Sequence, residues 1–236
     1  MTGLPAAART RQLPLDLAHT PGLSRDDLIA SEANKAAVAL IDRWPEWPAP
    51  VTVLTGPAGS GKSHMAAIWK EISGATELAA GALDEAAAGA AASGAVLIDD
   101  VGPGGVDEVG LFHLINAIRQ EGGHLLLCSR LPLSEWGIAL PDLSSRLKAA
   151  ASVEIGTPDD VLLAGVLTKL FADRQVEVEP HVIQFLVRRM ERSLSEAIGL
   201  VDALDRAALA SKSRISRALA AEVFEAADRE RLTVQE

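Results

Sequence analysis

One stretch decides the fold of this chain: Gly56-Pro57-Ala58-Gly59-Ser60-Gly61-Lys62-Ser63. It follows the apolar run Val51–Thr55 and matches the pattern G-x-x-x-x-G-K-[ST] at every fixed position. Glycines let the backbone bend so that successive N–H groups point into one concavity, which is the geometry that binds phosphate. With a strand before it and a helix expected from about Lys62, the stretch predicts a phosphate-binding loop (P-loop).

The residue types in and after this loop suit a nucleotide. Lys62 is expected to reach the β- and γ-phosphates, and the Ser63 hydroxyl is expected to ligate Mg²⁺. His64 follows directly and falls in the first turn of the helix, beside the phosphates. The predicted cofactor-binding residues are Gly56, Pro57, Ala58, Gly59, Ser60, Gly61, Lys62, Ser63 and His64. The predicted cofactors are Mg²⁺ and a nucleotide, ADP or ATP, and the sequence leaves that choice open.

Composition excludes several classes of protein. The 236 residues carry a formal net charge of −10, which argues against a whole-surface nucleic-acid binder and favours protein partners. No apolar run has the length needed to cross a bilayer and no signal peptide is recognisable, so we expect a cytoplasmic protein with no membrane partner. The only cysteine, Cys128, lies in an apolar run and is expected to be a buried, inert thiol.

The first half of the chain reads as an α/β domain. Residues 1–22 predict a flexible tail, and residues 23–157 predict a nucleotide-binding domain with a five-stranded parallel sheet flanked by helices. A short, loosely specified helix is expected within residues 79–92. The candidate strands lie at residues 51–55, about 75–78, 95–100, 124–129 and 152–155.

The second half predicts a small all-α lid subdomain over residues 158–228, followed by a short tail at 229–236. Thr157-Pro158-Asp159-Asp160 has the features of a helix start, with Thr157 as the N-cap and proline in the first turn. Apolar residues then recur at i, i+3, i+4 spacing, which is typical of helices with one buried face. Four helices are expected, at about 158–173, 180–191, 194–211 and 215–228.

Polar residues follow two of the predicted strands. Asp99 is expected to hold the Mg²⁺ shell, and Asp100 could orient an attacking water. At the end of the next strand, either Ser129 or Arg130 could sense the γ-phosphate, because strand ends surround the ligand in such sheets. Arg146 lies in a short helical segment from which it could reach across a subunit boundary, although such an arginine can also be an ordinary surface residue.

The order of these motifs resembles the AAA+ ATPases, and within them the DnaA clade, over about residues 24–226. The segment Asp27-Leu28-Ile29-Ala30-Ser31-Glu32-Ala33-Asn34 is similar to the segment of that family that lines the adenine site, and we take Ile29 as its contact residue. By the same resemblance Ser129 is sensor 1 and Arg146 is an arginine finger. Arg192 corresponds to sensor 2 at the start of the third lid helix, with Arg188 and Arg189 as alternatives.

The tail contains Gln12-Leu13-Pro14-Leu15-Asp16-Leu17, which resembles the peptide that docks on the replicative sliding clamp. Gln12 supplies hydrogen bonds, and Leu13, Leu15 and Leu17 supply apolar anchors on a segment without a competing fold. After the lid, the chain is expected to lack the helix-turn-helix domain of DnaA initiators, so no sequence-specific DNA binding is expected.

These features together resemble the Hda regulators, a DnaA-related family. The resemblance implies a nucleotide-bound negative regulator of chromosomal replication initiation at the nucleoid or replisome. Its partners would be the sliding clamp (the beta subunit of DNA polymerase III) and DnaA, whose bound ATP would be hydrolysed with Arg146 acting in trans. Self-association and hydrolysis of the chain's own ATP stay open.

Three alternatives differ in class. A DnaC-like helicase loader would share the module but would need a helicase-binding N-terminal extension. A small-molecule kinase would share the P-loop, yet it would need an acceptor site and would have no use for a four-helix lid. An origin-binding initiator is disfavoured by the acidic charge, and a gel shift with duplex DNA would separate it from the others.

Overall fold

The structure is a computed structural model that describes residues 25–83, 89–90, 92 and 94–233. The predicted clamp peptide, with Gln12, Leu13, Leu15 and Leu17, lies outside the described residues, as do residues 84–88 and 91 of the helix expected within 79–92. In the part of the chain that is described, no helix has both the length and the apolar character that a membrane span requires.

Five parallel strands form one sheet, as predicted. They are β1 (Val51–Thr55), β2 (Thr76–Glu77), β3 (Ala95–Val101), β4 (His124–Ser129) and β5 (Ala151–Glu154), in the order β2-β3-β4-β1-β5. Every residue of β1 is buried, because β1 is paired on both edges and covered on both faces. The register places Thr55 beside Ser129, so the ends of β1 and β4 meet at one edge of the sheet.

Helices cover both faces of the sheet. They are α1 (Lys35–Asp42), α2 (Lys62–Ser73), α3 (Glu108–Glu121) and α4 (Pro141–Lys148). Alternate side chains of a strand point to opposite faces, so Val51 and Val53 pack with α3 and α4, while Leu54 packs with α1 and α2. The two apolar layers fix the sheet, and with it the position of the P-loop at the end of β1.

The remaining helices form the lid. They are α5 (Asp160–Asp173), α6 (Pro180–Arg189), α7 (Leu194–Ser211) and α8 (Arg217–Thr233). They share a separate apolar cluster in which Leu163, Leu167 and Leu204 are fully buried. The prediction of a five-stranded α/β module followed by four helices is therefore confirmed, with ends that differ by a few residues.

The predicted start of the first lid helix was wrong. Helix α5 begins at Asp160, and its N-cap is Asp159 rather than Thr157. The Asp159 carboxylate accepts a hydrogen bond from the N–H of Leu162 at 2.8 Å and a second from the N–H of Ala33 at 3.3 Å. An aspartate that satisfies a helix N–H and also ties down a neighbouring segment makes a better cap than a threonine two residues earlier.

Three tryptophans are packing residues, and Cys128 is buried as its apolar run predicts. Trp47 stacks on Trp69 with ring centroids 5.0 Å apart, and Trp136 is buried in the other layer. Cys128 is fully buried, and burial raises the pKa of its thiol, which keeps the thiol protonated.

Helix α7 offers a matched pair of leucines that tests the lid core. Leu204 is fully buried, whereas Leu209 is 64% exposed. Leu204→Ala is expected to lower the free energy of unfolding by about 2–5 kcal/mol, because it leaves a cavity among four helices. Leu209→Ala is expected to change it by less than about 0.5 kcal/mol. Chemical denaturation followed by circular dichroism measures both, and equal effects would contradict the packing described here.

Candidate functional site

The P-loop begins directly after β1 with a glycine, and any other residue at this position would be strained. Gly56 has a φ of 155°, and a Cβ there would lie 2.5 Å from the carbonyl oxygen of Ile155. Its N–H donates to the carbonyl of Ser129 at 3.2 Å. Gly59 and Gly61 also have positive φ, at 69° and 100°, so the backbone curls as the motif requires.

The bend of the P-loop leaves several backbone N–H groups of the described chain without a protein acceptor. Among the described residues, no protein acceptor takes the backbone N–H groups of Ala58, Gly59, Gly61, Lys62, Ser63 and His64. Four of these groups open helix α2, whose dipole places partial positive charge at the same point. Such a cradle fits the oxygens of a di- or triphosphate, so the residues present suit the cofactor predicted from the motif.

Lys62 lies inside the loop. Its Nζ donates to the carbonyl of Gly56 at 2.7 Å and to that of Pro57 at 2.8 Å. Burial lowers the pKa of the Lys62 ammonium, although the negative charge of Asp99 opposes the shift. An anion beside Lys62 would stabilise the positive charge of its ammonium group and offset the cost of burial. The loop and its lysine are therefore electrostatically suited to phosphate.

The two carboxylates that end β3 have different surroundings. Asp99 accepts a hydrogen bond from the N–H of Asp100 at 2.8 Å, and its charge acts on Lys62. Asp100 has a φ of 55°, and its carboxylate forms an ion pair with Arg130 at 3.1 Å. The structure therefore brings Asp99 towards the loop lysine, while Asp100 and Arg130 pair with each other.

Metal binding by protein groups alone has no support in the part that is described. No cluster of three or more His, Cys, Asp or Glu side chains could hold an ion there. Mg²⁺ at phosphate sites usually takes only one or two protein ligands and completes its shell with phosphate oxygens and water. Ser63 and Asp99 suit that mode of binding, with Mg²⁺ supplying charge neutralisation at the phosphates.

Ser129 lies at the end of β4, next to β1. It is fully buried, and its hydroxyl accepts a hydrogen bond from the N–H of Leu131 at 3.1 Å. That bond uses an acceptor position and leaves the O–H proton available as a donor. The residue is therefore fixed beside the loop with a donor to spare.

The segment that carries Ile29 contacts the first lid helix. The Ile29 side chain lies about as close to Gly165 as packing permits, because a Cβ on that glycine would come within 3.2 Å of it. Asp27 forms an ion pair with Lys169 at 2.8 Å on the same helix, α5. Ile29 is thus held against the first lid helix. The charges of Asp27 and Lys169 also act on His64, in the first turn of α2.

Two of the three arginines considered for sensor 2 make contacts within the lid. Arg192 forms an ion pair with Asp160 at 2.7 Å and donates to the carbonyl of Pro158 at 3.3 Å. Arg189 stacks on Phe185 and Phe224. The residues that meet the P-loop are instead Ser193, Leu194 and Ser195, which sequence reasoning missed. The pattern Ser193-Leu194-Ser195-Glu196 has the spacing of a capping box and could have located this helix start.

Arg146 is held by helix α3. Its guanidinium lies over the ring of Phe112, 5.0 Å from the centroid. Glu108, one turn earlier on α3, accepts hydrogen bonds from the N–H groups of Ala139 and Leu140, which precede α4. Two side chains of α3 therefore fix both the start of α4 and the arginine near its end.

Comparisons with known proteins agree with this architecture. The family described as "Hda, lid domain" matches residues 164–223. The chromosomal replication initiator protein DnaA of Thermomicrobium roseum is 28% identical over 130 residues, which make up 52% of this chain and 27% of that protein. The chain is therefore similar to the Hda family in the lid and to a DnaA protein over about half of its length. Its matched part spans about a quarter of the length of that curated relative.

Solved structures share the AAA+ fold. Domain III of DnaA from Thermotoga maritima superposes with a TM-score of 0.73 at 17% identity, covering 87% of this chain and 97% of that one. AMPPCP-bound DnaA from Aquifex aeolicus superposes with a TM-score of 0.68 at 18% identity, covering 79% of this chain and 66% of that one. At this level of identity the likeness shows the fold alone.

His64 provides a pH test of the site. Burial lowers the pKa of its imidazole, and Nε2 is buried without a hydrogen-bond partner. Above about pH 7 both folded and unfolded states are neutral at this residue, so it adds no pH dependence. As the pH falls through 6.5, the unfolded chain takes up a proton that the folded state resists, and the free energy of unfolding falls by at most about 1.4 kcal/mol per pH unit.

The matched variants are His64→Gln and, as control, His113→Gln at an exposed position. Denaturation between pH 7.5 and 5.5 is expected to show a shallower pH slope for His64→Gln than for the wild type. The control is expected to keep the wild-type slope. A His64→Gln slope equal to that of the wild type would contradict the buried, neutral imidazole.

Proposed function

We propose that this AAA+ protein is a nucleotide-bound negative regulator of replication initiation that stimulates hydrolysis of the ATP held by DnaA. The observation that carries the proposal is the setting of Arg146. Its guanidinium is stacked on Phe112 and, within the described residues, has no carboxylate partner. A stacked guanidinium keeps its N–H edge free and oriented, which suits bidentate contact with phosphate oxygens.

The proposed chemistry takes place on the partner. Arg146 enters beside the phosphates of DnaA-bound ATP and compensates charge that develops during phosphoryl transfer. An arginine finger of this type accelerates the reaction by about 10³–10⁵. Glu108 and Phe112 hold the helix that carries Arg146, so the arginine is presented with little loss of side-chain freedom.

The nucleotide of this chain has a structural role in the proposal. The six free N–H groups of the P-loop support ADP or ATP as the ligand, and the name of the Aquifex aeolicus relative records AMPPCP bound to that protein. In this proposal Ser129, Ile29 and His64 complete the nucleotide site. Asp100 is paired with Arg130, which supports a main role outside hydrolysis of the chain's own ATP.

The tail is the proposed anchor on the sliding clamp. Its support is the sequence Gln12-Leu13-Pro14-Leu15-Asp16-Leu17, in which apolar anchors alternate with other residues on a segment suited to extended docking. In this proposal the clamp on DNA brings the protein to the replisome, where DnaA is the second partner. A DnaC-like helicase loader is the alternative, and binding to a helicase rather than to the clamp would favour it.

The finger is tested by hydrolysis of ATP preloaded on DnaA, with the clamp loaded on DNA. Arg146→Ala is expected to lose the stimulation, a reduction of about 10³-fold or more, and Arg146→Lys is expected to recover little because it lacks the planar fork. Phe112→Leu should lower the maximal stimulated rate, and Phe112→Tyr should restore it by keeping the ring. Nucleotide binding by this chain is expected to stay unchanged in all four variants.

The matched control is Arg189→Ala, which also removes an arginine stacked on aromatic rings, but in the lid. It is expected to leave the stimulated rate at the wild-type level. Full stimulation by Arg146→Ala would remove Arg146 from the proposed mechanism.

The anchor is tested by binding of the full chain to the clamp. Replacing Gln12, Leu13 and Leu15 together by alanine is expected to abolish clamp binding, because both the hydrogen bonds and the apolar anchors are lost. Leu4→Ala, in the same tail but outside the motif, serves as control. Surface plasmon resonance measures the affinities, and an unchanged affinity of the triple variant would refute the proposed anchor.

A further inference from the structure

An extended segment of the lid, residues 175–179, joins α5 to α6, and no described strand pairs with it. Two cavities border this segment, with volumes of about 480 and 940 Å³. We call the smaller cavity the lid groove. Apart from the segment itself, the residues that line the groove are Thr168, Phe171 and Ala172 of α5 and Ile183 of α6. Phe171 and Ile183 are buried, so the groove has an apolar floor and an extended backbone beside it.

The backbone of this segment has unused hydrogen-bonding groups. Within the described ranges, the N–H and carbonyl groups of Glu177 and Val178 make no hydrogen bond to protein. Val176 and Val178 are half-buried whereas Glu177 and Glu179 are exposed, which is the alternation of a strand with one apolar face. Neither glutamate has a basic partner in the part of the chain that is described. Such an edge is a template to which an extended peptide adds as a further strand.

The described chain begins beside the helix that lines this groove. Arg25 is the first described residue, and Asp27 forms an ion pair with Lys169 of α5 at 2.8 Å. Ala172, which lines the groove, lies three residues further along α5 and therefore within one helical turn of Lys169. Residues 12–17 end eight residues before Arg25, and eight extended residues span roughly 26–29 Å. The tail is therefore long enough to bring this peptide to the groove.

The sequence of the tail complements the groove in shape and in charge. Leu13, Leu15 and Leu17 occupy every second position, so an extended tail presents them on one face, as the apolar floor of the groove requires. Arg9 and Arg11 precede them with the same spacing as the two exposed glutamates of the lid segment. The tail thus offers two cations and an apolar face to a surface that has two unpaired carboxylates and an apolar floor.

We propose that residues 9–17 dock on the lid groove as an added strand when the protein is free, with the three leucines against the groove and the two arginines beside the glutamates. The docking depends only on the groove and the tail. Its consequence rests on the clamp anchor of the proposed function, because the same leucines are the proposed clamp contacts. The clamp and the lid then compete for the tail, and the apparent affinity for the clamp falls in proportion to the fraction of protein in which the tail is free.

Disulfide trapping in the full chain tests the docking directly. The only native cysteine, Cys128, is fully buried, so introduced cysteines react without interference from it. Ala172→Cys is combined with a cysteine at each of the three tail leucines in turn, and the variants are oxidised in glutathione buffer at low protein concentration. The matched control pairs the same tail cysteines with Arg43→Cys. At least one pair with Ala172→Cys is expected to close about tenfold faster than its control, because docking raises the effective concentration of the tail at the groove.

Arg43 is a strict control for the reach of the tail. It is exposed and follows Asp42, whose carboxylate binds the Arg25 guanidinium at 2.6 Å. The tail therefore starts at least as close to Arg43 as to the groove, and only a specific contact favours Ala172→Cys.

Clamp affinity tests the consequence of the docking. Glu177→Lys combined with Glu179→Lys is expected to raise the affinity of the full chain for the clamp about three- to tenfold, because the tail is released from the lid. The matched control is Glu222→Lys with Glu225→Lys, which makes the same change of charge at two exposed positions of α8 and is expected to bind the clamp like the wild type. Melting temperatures verify that each variant is folded. An unchanged affinity of the Glu177→Lys, Glu179→Lys variant would overturn the competition between lid and clamp.

The outcomes separate the docking from the clamp anchor. Equal closing rates for Ala172→Cys and Arg43→Cys would overturn the inference and leave the anchor of the proposed function in place. Disulfides between chains rather than within one chain would also overturn it, since a second copy would then supply the strand. Rapid closing within the chain, with no clamp binding by any variant, would uphold the docking and refute the proposed anchor.

Discussion

Gly56 lies where three strands leave no room for a side chain. Strand β5 continues its pairing up to the loop, since the N–H of Ile155 donates to the carbonyl of Thr55 at 2.8 Å. The Ile155 carbonyl then approaches the Gly56 Cα so closely that a Cβ would overlap it. On the other side, Ser129 accepts the Gly56 N–H. Because both neighbours of β1 fix this residue, the direction of the P-loop, the start of α2 and the contact of Gly59 with the lid all depend on it.

Several polar contacts join the lid to the P-loop and to the segment before α1. Leu194 binds the Gly59 carbonyl, Asp159 binds the Ala33 N–H, and Lys169 pairs with Asp27. A ligand that changes the loop therefore acts on contacts that also orient the lid. Such coupling is how a nucleotide bound at the P-loop can set the shape of the protein while the proposed chemistry takes place at Arg146.

The sequence alone predicted the strands and helices whose bounds depend only on their own residues. The strands at 51–55 and 124–129 have the predicted bounds, because each is an apolar run ended by a polar or glycine residue. The start of α5 was harder to predict, since Thr157 and Asp159 are both good caps and the choice depends on the distant Ala33. The contacts of Arg192 depend likewise on Asp160 and Pro158, and the stacking of Arg146 on Phe112 depends on how α3 and α4 pack. Motif spacing carries no information about such partners.

The central claim is that this chain holds its nucleotide and acts on the nucleotide of another protein. The most direct test is a single-turnover experiment in which radiolabelled ATP is loaded on DnaA alone, or on this chain alone, before mixing with DNA-loaded clamp. The account predicts rapid release of phosphate when the label is on DnaA and little release when it is on this chain. Rapid release from the label on this chain, with no change in the rate for DnaA, would contradict it.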